Sequence, residues 1–352
     1  MQIDVNPSDT GIKHFSFSSV TDFLTDPRKF RKCWIDGDWS RTPELSLIQG
    51  NGFHAALETF WRQVYANDDR PMDYRLHDIF EDASRKVQLE YKITKPEHRI
   101  RRRIAKGDVA EYELAGCEIE EVPGLTPTGK ATSTFYAYLT PESIMNDLKD
   151  DIVFYIEAAP VYEPLAVEAV MTAMTRDEET GGEHPWPLKS KIDLVARLID
   201  GRIAIVDHKY MSSDPETDDD GNLVATPAMK LQGAAMVSVA PALLKELGIE
   251  GECSTVIFDV YNKKTGKMSS VVIEIGRKER MIWSVIFSGV QYKILLAYAL
   301  GDFNKAFLPN PYGNFGRTDG WQEFEKDIEY MVDTGEPERP AERKEDYEPV
   351  DL

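Results

Sequence analysis

The sequence predicts an α/β fold in which a central mixed β-sheet is flanked by helices and follows a large N-terminal helical portion. Two observations predict this fold. Apolar residues recur at helical spacing through much of residues 15–158, and short β-branched segments bounded by turn residues follow from residue 165. An apolar helical segment at residues 227–247 separates the strands into a group of three and a group of two. This alternation of strands and helices is typical of an α/β protein.

The N-terminal half is predicted to be mainly helical. Residues 15–66 show helical spacing, and Pro43 can open a helix that runs through His54. Residues 74–115 continue the helical pattern, and Pro141 can open the next helix.

The second half is predicted to alternate between strands and helices. Each strand is short, rich in β-branched residues and bounded by turn residues. Residues 262–267 (NKKTGK) form a natural turn between the last two strands. The strands are predicted at residues 165–174, 188–199, 202–209, 254–261 and 268–275, and a last long helix at 278–300.

These elements divide the chain into three predicted parts. The first is helical, the second carries the sheet, and the third ends in an acidic tail. They are residues 1–160, with a helical insertion at about 67–150; residues 161–305, the core; and residues 306–352, a C-terminal extension.

The composition excludes several classes of protein. Of 352 residues, 42% are hydrophobic, which is enough apolar material for a core and excludes global disorder. Cys33, Cys117 and Cys253 form no Cys-x-x-Cys pair, which excludes a disulfide scaffold, a zinc ribbon and a four-cysteine iron–sulfur site. The formal net charge of -20 argues against a generic electrostatic binder of nucleic acid, but it does not exclude a local site that binds a cation.

No targeting segment is expected. The N-terminus has neither a basic start nor an apolar run, so no signal peptide is predicted. Residues 281–300 are the most apolar stretch, but Gln291 and Lys293 interrupt it, which favours a buried helix over a membrane span. We therefore expect a soluble cytoplasmic protein with no membrane partner.

The most informative segments are residues 192–195 (IDLV) and 205–209 (IVDHK). Residues two apart on a strand share a face, so Asp207 and Lys209 project side by side. Charges in strands that are otherwise Ile, Val and Leu cost several kcal/mol unless they are paired or bind a metal. An Asp–Lys pair on a solvent-facing edge is the simpler alternative.

The register of the hairpin between these strands distinguishes the two interpretations. A two-residue turn at Asp200 and Gly201 would place Asp193 opposite His208, on the wrong face for Asp207. A three-residue loop with Gly201 in the left-handed conformation would place Asp193 directly opposite Asp207. Two carboxylates so close would repel each other unless a cation lay between them. We predict the second register and a divalent cation, Mg²⁺ or Mn²⁺, because the ligands are hard oxygens.

With these motifs, the chain resembles the PD-(D/E)XK nuclease superfamily, specifically its RecB-like exonuclease branch. The resemblance covers most of residues 15–310 in order. It rests on five segments that resemble the serine-rich start with the "Cys-Pro-x-x-Phe" helix, the helical histidine motif, the "Gly-x-x-Asp" strand, the "Asp-x-Lys" strand and the family glutamine. These segments are residues 15–18 (FSFS) with 26–30 (DPRKF), 52–54 (GFH), 187–195 (PLKSKIDLV), 205–209 (IVDHK) and Gln232.

The resemblance implies a restriction-endonuclease-like core at residues 161–305 and a role for each matching residue. It implies that His54, Asp193 and Asp207 are metal ligands, with the main-chain carbonyl of His208. Lys209 would orient or activate the attacking water, and Gln232 would position the lysine, the water or the DNA. For His54, a buried structural histidine is the alternative.

Further candidates are less closely tied to these motifs. Glu58 lies one helical turn after His54 and could hydrogen-bond its imidazole or stay a solvated charge. Glu168 could face the metal pocket or pair with a lysine. A cluster of basic residues could contact DNA phosphates or form an exposed face. Its members are Arg28, Lys29, Arg101, Arg102 and Arg103.

The resemblance thus implies a metal-dependent DNA exonuclease in recombination, repair or phage DNA processing. Asp26 stands where many relatives have a cysteine, so no iron–sulfur cluster is expected. The alternatives are a non-catalytic DNA-binding or scaffold subunit and a structure-specific or restriction-type endonuclease. The expected partner is DNA, with a recombination or single-strand-binding protein that delivers it.

Overall fold

The computed structural model describes five stretches of the chain. The described residues are 6–37, 44–92, 99–125, 131–220 and 222–301. The C-terminal extension predicted at 306–352 lies outside them.

Eight α-helices occur in the described residues. A π-helical turn at Arg31–Ile35 follows α2, and 3₁₀ turns lie at Pro7–Thr10 and Lys106–Asp108. The helices are α1 (Phe17–Thr25), α2 (Pro27–Phe30), α3 (Leu45–Tyr65), α4 (Met72–Lys92), α5 (Val109–Leu114), α6 (Pro141–Ala158), α7 (Pro227–Glu246) and α8 (Arg277–Ala299).

Ten strands form three sheets in the same residues. The strands are β1 (Arg101–Ile104), β2 (Glu118–Leu125), β3 (Ala131–Tyr138), β4 (Glu163–Ala173), β5 (Leu188–Arg197), β6 (Ile203–Met211), β7 (Glu216–Thr217), β8 (Leu223–Val224), β9 (Thr255–Asn262) and β10 (Lys267–Glu274).

The core is a five-stranded sheet with the order β10-β9-β6-β5-β4. β6 and β9 pair in parallel, and the other pairs are antiparallel, so the sheet is mixed. α7 lies between β6 and β9 in sequence, as expected for the connection between parallel neighbours. The predicted α/β class with a central mixed sheet flanked by helices is therefore confirmed.

The β5–β6 hairpin has the predicted bulged register. Leu194 pairs with Val206 and Arg197 with Ile203, and Leu198 N donates to Arg202 O across the loop. Gly201 has φ +86°, a left-handed conformation that glycine adopts readily. The three-residue loop therefore determines which face each later residue of β6 occupies.

Apolar side chains cover both faces of the core sheet. On one face, α7 and α8 pack with the N-terminal segment, and Trp283 and Phe287 stack at 5.4 Å near Phe15. On the other face, α3 and α6 contribute Phe53 and Tyr155 to a second cluster. Each fully buried aromatic or aliphatic side chain stabilises the fold by about 1.5–3 kcal/mol. β5 and β6, which carry the candidate site residues Asp193, Asp207 and Lys209, therefore lie between two packed helical layers.

α8 is the only helix of the described residues that is long and apolar enough, by length and composition alone, to cross a membrane. Its inner side chains, including Trp283, Phe287 and Ile294, are buried in the core cluster. This is the packing expected of the predicted buried helix.

The prediction of a helical insertion at about 67–150 is wrong for much of its length. α4 ends at Lys92, and β1, β2 and β3 form a separate three-stranded antiparallel sheet with the order β1-β3-β2. The basic run at Arg101–Ile104 alternates between outward and inward side chains instead of following a helix. Its strand partner, β3, lies some thirty residues later, and such non-local pairing overrides local propensity.

Candidate active site

The front face of β6, which faces α7, carries Asp207 and Lys209, and these two side chains bond to each other and to Gln232 of α7. Lys209 Nζ lies 2.6 Å from Asp207 Oδ2, and it also donates to Gln232 Oε1 at 3.1 Å. Gln232 Nε2, from α7, donates to Asp207 Oδ1 at 2.9 Å. The amide of Gln232 therefore holds both the carboxylate and the ammonium, because it can donate and accept at once.

Asp193 lies where β5 and β6 separate. The ladder between them ends at the pair of Leu194 and Val206, and Asp193 immediately precedes Leu194 on β5. Its Oδ2 accepts a hydrogen bond from the His208 main-chain N–H at 2.9 Å. The first residues of β5 instead pair with the N-terminal segment, through a bridge between Phe15 and Leu188. Asp193 thus lies at the end of the β5–β6 ladder, inside the five-stranded sheet.

α3 brings His54 to the same place. His54 Nδ1 lies 3.6 Å from Asp193 Oδ2, and its side chain is about one third exposed. Gly52 permits the close packing of α3 against α4, since a Cβ there would lie only 2.6 Å from Val87 Cγ2. Phe53 stacks on Tyr210 at 4.6 Å, which ties α3 to the end of β6. The structure therefore brings together His54, Asp193 and the β6 pair.

Electrostatics favour a cation between these carboxylates. Burial raises the pKa of Asp207, Asp193 raises it further by charge repulsion, and Lys209 and His54 oppose this rise. The Oδ2 atom of Asp207 is buried and makes no hydrogen bond of good geometry in the described structure, although Lys209 lies close to it. A buried carboxylate beside a second carboxylate is destabilised unless a positive charge compensates it.

The rear face of β6 holds His208 in an aromatic and polar cage. Its ring lies parallel to Trp61, and Tyr155 OH lies 3.1 Å from Nδ1. Burial lowers the pKa of His208 to about 3, so the imidazole is neutral. Because His208 lies between Asp207 and Lys209, fixing its ring also fixes the orientation of its two neighbours.

Asp259 is a buried carboxylate behind the site that the sequence analysis missed. It lies on β9 beside His208 and is fully buried. Tyr162 OH donates to both of its carboxylate oxygens at 3.2 Å, and Ser270 Oγ donates at 2.6 Å. Burial raises its pKa to about 6. The available signal was an aspartate within an apolar strand, the same signal that identified Asp207.

The two secondary glutamates have different surroundings. Glu58 receives hydrogen bonds from Arg62 at 2.8 and 3.0 Å, so the alternative of a solvated, ion-paired charge describes it better than a contact with His54. Glu168 forms an ion pair with Lys191, and its side chain is only 7% exposed. Its φ of +53° is rare for a residue other than glycine.

Four of the five basic candidates for DNA binding form ion pairs within the chain. Lys29 lies 2.8 Å from Asp22, and Arg28 lies 3.8 Å from Asp26. The pairs in the insertion are Arg101 with Glu120 at 3.2 Å and Arg102 with Asp147 at 2.7 Å. Arg103 is exposed. Contact of these residues with DNA stays a prediction.

The donor set fits a hard divalent cation in its chemistry. It comprises two carboxylates, an imidazole and the His208 carbonyl, and the cation would relieve the repulsion between Asp193 and Asp207. In the described residues, no group of three or more His, Cys, Asp or Glu side chains converges closely enough to be a preformed metal site. Asp207 is instead engaged by Lys209 and Gln232.

One family model matches most of the chain. The model of the PD-(D/E)XK nuclease superfamily matches residues 14–281, which include His54, Asp193, Asp207, Lys209 and Gln232. No curated protein matches the chain. The mixed sheet with its flanking helices is consistent with the restriction-endonuclease-like fold expected of this superfamily. The match covers about three quarters of the chain, and the chain therefore belongs to the PD-(D/E)XK nuclease superfamily.

Proposed function

We propose that the protein is a DNA exonuclease of the RecB-like type, dependent on Mg²⁺ or Mn²⁺, that hydrolyses phosphodiester bonds. The observation that carries this proposal is the bonded group of Asp207, Lys209 and Gln232 beside Asp193 and His54. We place its work in the cytoplasm, in recombination, repair or phage DNA processing, on DNA that a separate protein delivers.

His54, Asp193, Asp207 and the His208 carbonyl would hold the divalent ion. When bound, such an ion polarises a phosphoryl oxygen and lowers the pKa of a bound water. The β5–β6 hairpin and the ring contacts of His208 support Asp193, Asp207 and the His208 carbonyl, and α3 supports His54. The carboxylate of Asp207 would exchange part of its contact with Lys209 and Gln232 for the ion.

Lys209 and Gln232 act on the water and the phosphate. The Lys209 ammonium lies beside Asp207 and presents a positive charge on the front face of β6. In this position it can donate a hydrogen bond to the attacking water and stabilise negative charge that develops on the phosphate. Gln232 orients the Lys209 ammonium, because its Oε1 accepts a hydrogen bond from Lys209 Nζ.

The test is a nuclease assay with end-labelled linear and circular DNA, single- and double-stranded, in Mg²⁺, Mn²⁺ or EDTA. Linear DNA should be shortened from its ends only with the metal. Asp207→Asn should reduce the rate of cleavage at least about 100-fold, because it removes the negative charge of a proposed metal ligand and keeps the shape of the side chain. Asp219→Asn, in the exposed loop after β7, is the matched control and should retain the rate.

Three results would count against the proposal. Undiminished cleavage by Asp207→Asn would exclude the assigned site. Equal cleavage of circular and linear DNA would identify an endonuclease instead. Binding of DNA without cleavage in either metal would support a non-catalytic subunit.

A further inference from the structure

α8 is apolar on two opposite faces. Its inner face lies in the core cluster, where Trp283 and Phe287 are buried. Its other face carries a second row of apolar residues at helical spacing, and the large side chains Ile282, Val285 and Tyr292 in this row are 44%, 55% and 51% exposed. The row extends over about 27 Å of helix. We call it the outer stripe, and it comprises Ile282, Val285, Gly289, Tyr292, Leu296 and Leu300.

An exposed apolar stripe of this length sets α8 apart from α4. The exposed face of α4 carries charges such as Arg85, which pairs with Glu81 and Asp82. A helix that is apolar on all sides is normally buried on all sides, and contiguous exposed apolar surface marks a place where something binds. The outer stripe of α8 therefore predicts a partner that covers it.

The chain itself contains a segment with a matching pattern. Residues 321–332 (WQEFEKDIEYMV) lie outside the described residues, and their apolar positions recur at spacings of three and four, which predicts a helix with one apolar face. Asp319, followed three residues later by Gln322, is a start signal for such a helix, and Gly335 is a stop signal. The apolar face comprises Trp321, Phe324, Ile328, Met331 and Val332.

The length of the connection and the charges both favour this segment as the cover. Residues 302–320 follow the last described residue and can span about 60 Å when extended, so they allow the chain to turn back along α8. α8 carries four basic residues and one acidic residue, whereas residues 321–332 carry four acidic residues and one basic residue. The two partners are therefore complementary in charge as well as in apolar pattern.

We propose that residues 321–332 form an amphipathic helix whose apolar face packs on the outer stripe of α8 in the same molecule. The outer stripe is then an intramolecular docking site, and the C-terminal extension is part of the folded domain that contains the sheet. This inference does not depend on metal binding or on cleavage of DNA, so it can fail while the proposed function holds.

The test is hydrogen–deuterium exchange of the full chain, measured by mass spectrometry on peptides that cover residues 321–332. Their amides should exchange at least about tenfold more slowly than those of an unstructured peptide, because docking stabilises the helical hydrogen bonds. Val285→Glu places a charge in the outer stripe and should remove this protection. Phe324→Ser combined with Ile328→Ser changes only the segment and should also remove it.

Leu89→Glu is the matched control. Leu89 is 47% exposed on α4, so its replacement introduces the same charge at a similarly exposed apolar position of another helix. Residues 321–332 should stay protected in this variant. Circular dichroism shows whether each variant is folded, and the variant with both replacements in the segment provides the test if Val285→Glu does not fold.

Three results would overturn the proposal. The first is rapid exchange of residues 321–332 in the wild-type chain. The second is protection that persists in a folded Val285→Glu chain or in the chain with Phe324→Ser and Ile328→Ser. The third is a wild-type dimer, seen by sedimentation, that Val285→Glu converts to a monomer, because a second copy of the chain would then cover the outer stripe. A wild-type monomer whose protection is lost in both stripe and segment variants supports the proposal.

Discussion

The five-stranded core sheet and the three-stranded insertion sheet both carry charged side chains, but the two sheets surround them differently. In the core sheet, Asp207 and Asp259 are at most 6% exposed, and their partners come from distant elements. In the insertion sheet, Arg101 of β1 and Glu120 of β2 are 46% and 40% exposed and pair across the intervening strand β3. Exposed pairs contribute little, whereas buried charges must be compensated. The contrast therefore distinguishes the candidate site from a solvated surface.

Arg99 and Arg101 find their partners on β2 and β3 of the insertion sheet. Arg99 lies over the Tyr138 ring at 4.3 Å and pairs with Glu118 at 2.5 Å. Arg101 repeats the arrangement over Tyr136 at 4.2 Å. Each guanidinium thus has an aromatic and an acidic neighbour, which leaves it less available to a phosphate than a basic run in the sequence indicates.

The role of Gln232 in the core sheet can be tested directly. Gln232→Leu keeps the approximate size of the side chain but removes both hydrogen bonds, to Asp207 and from Lys209. We expect the turnover rate to fall about 100-fold, as when one preorganised donor is lost. Gln88→Leu, on exposed α4, should leave the rate unchanged. Equal rates in the two variants would mean that Lys209 does not need the amide.

The buried charge of Asp259 should be visible in the pH dependence of stability. Its pKa in the folded chain is about 6, above the ordinary value of 3.8, so the folded state holds a proton that the unfolded state has released between pH 4 and 6. The contribution of this group to stability is therefore full below about pH 4 and is lost as pH rises towards 6.

Asp259→Asn removes this contribution. As pH falls from 6 to 4, the wild-type chain should gain up to about 1.4 kcal/mol per pH unit relative to the variant. Urea unfolding at a series of pH values measures the difference, with Asp219→Asn as the exposed control. A difference that does not change with pH would show that Asp259 is not held at a raised pKa.

A smaller effect is expected within the insertion, where two adjacent arginines can be compared. Arg102 bonds to Asp147 at 2.7 Å and to Tyr112 OH at 2.8 Å, whereas Arg103 is exposed on the other face of β1. Arg102→Ala should lower the free energy of unfolding by about 1.5 kcal/mol, and Arg103→Ala by less than about 0.5 kcal/mol. Equal losses would mean that burial does not distinguish these two residues.

Much of the core could be predicted because its signals are local. Short β-branched segments bounded by turn residues marked β5 and β6, and the loop at Gly201 determined their register. The side-by-side placement of Asp207 and Lys209 followed from their spacing of two residues on one strand. The bond from Gln232 could be anticipated only from the resemblance, because α7 crosses back over the sheet.

The remaining features depend on contacts between distant parts of the chain. The insertion sheet needs β3 to pair with β1, and the local basic pattern of β1 does not reveal this. The cage around His208 joins α3 and α6 to β6, so its members are separated by more than fifty residues. The left-handed backbone of Glu168 is imposed by the packing of β4 on β5, not by its own sequence.

That backbone conformation also bears on solubility. β4 is an outer strand of the core sheet and spans eleven residues, which is long enough to template pairing with another molecule. Glu168 interrupts its extended backbone near the middle, and the register shifts again between Pro164 and Ala166. A foreign strand could therefore not form a continuous ladder along this edge. The buried partner of Lys191 is thereby also a residue that makes this edge a poor template for edge-to-edge pairing.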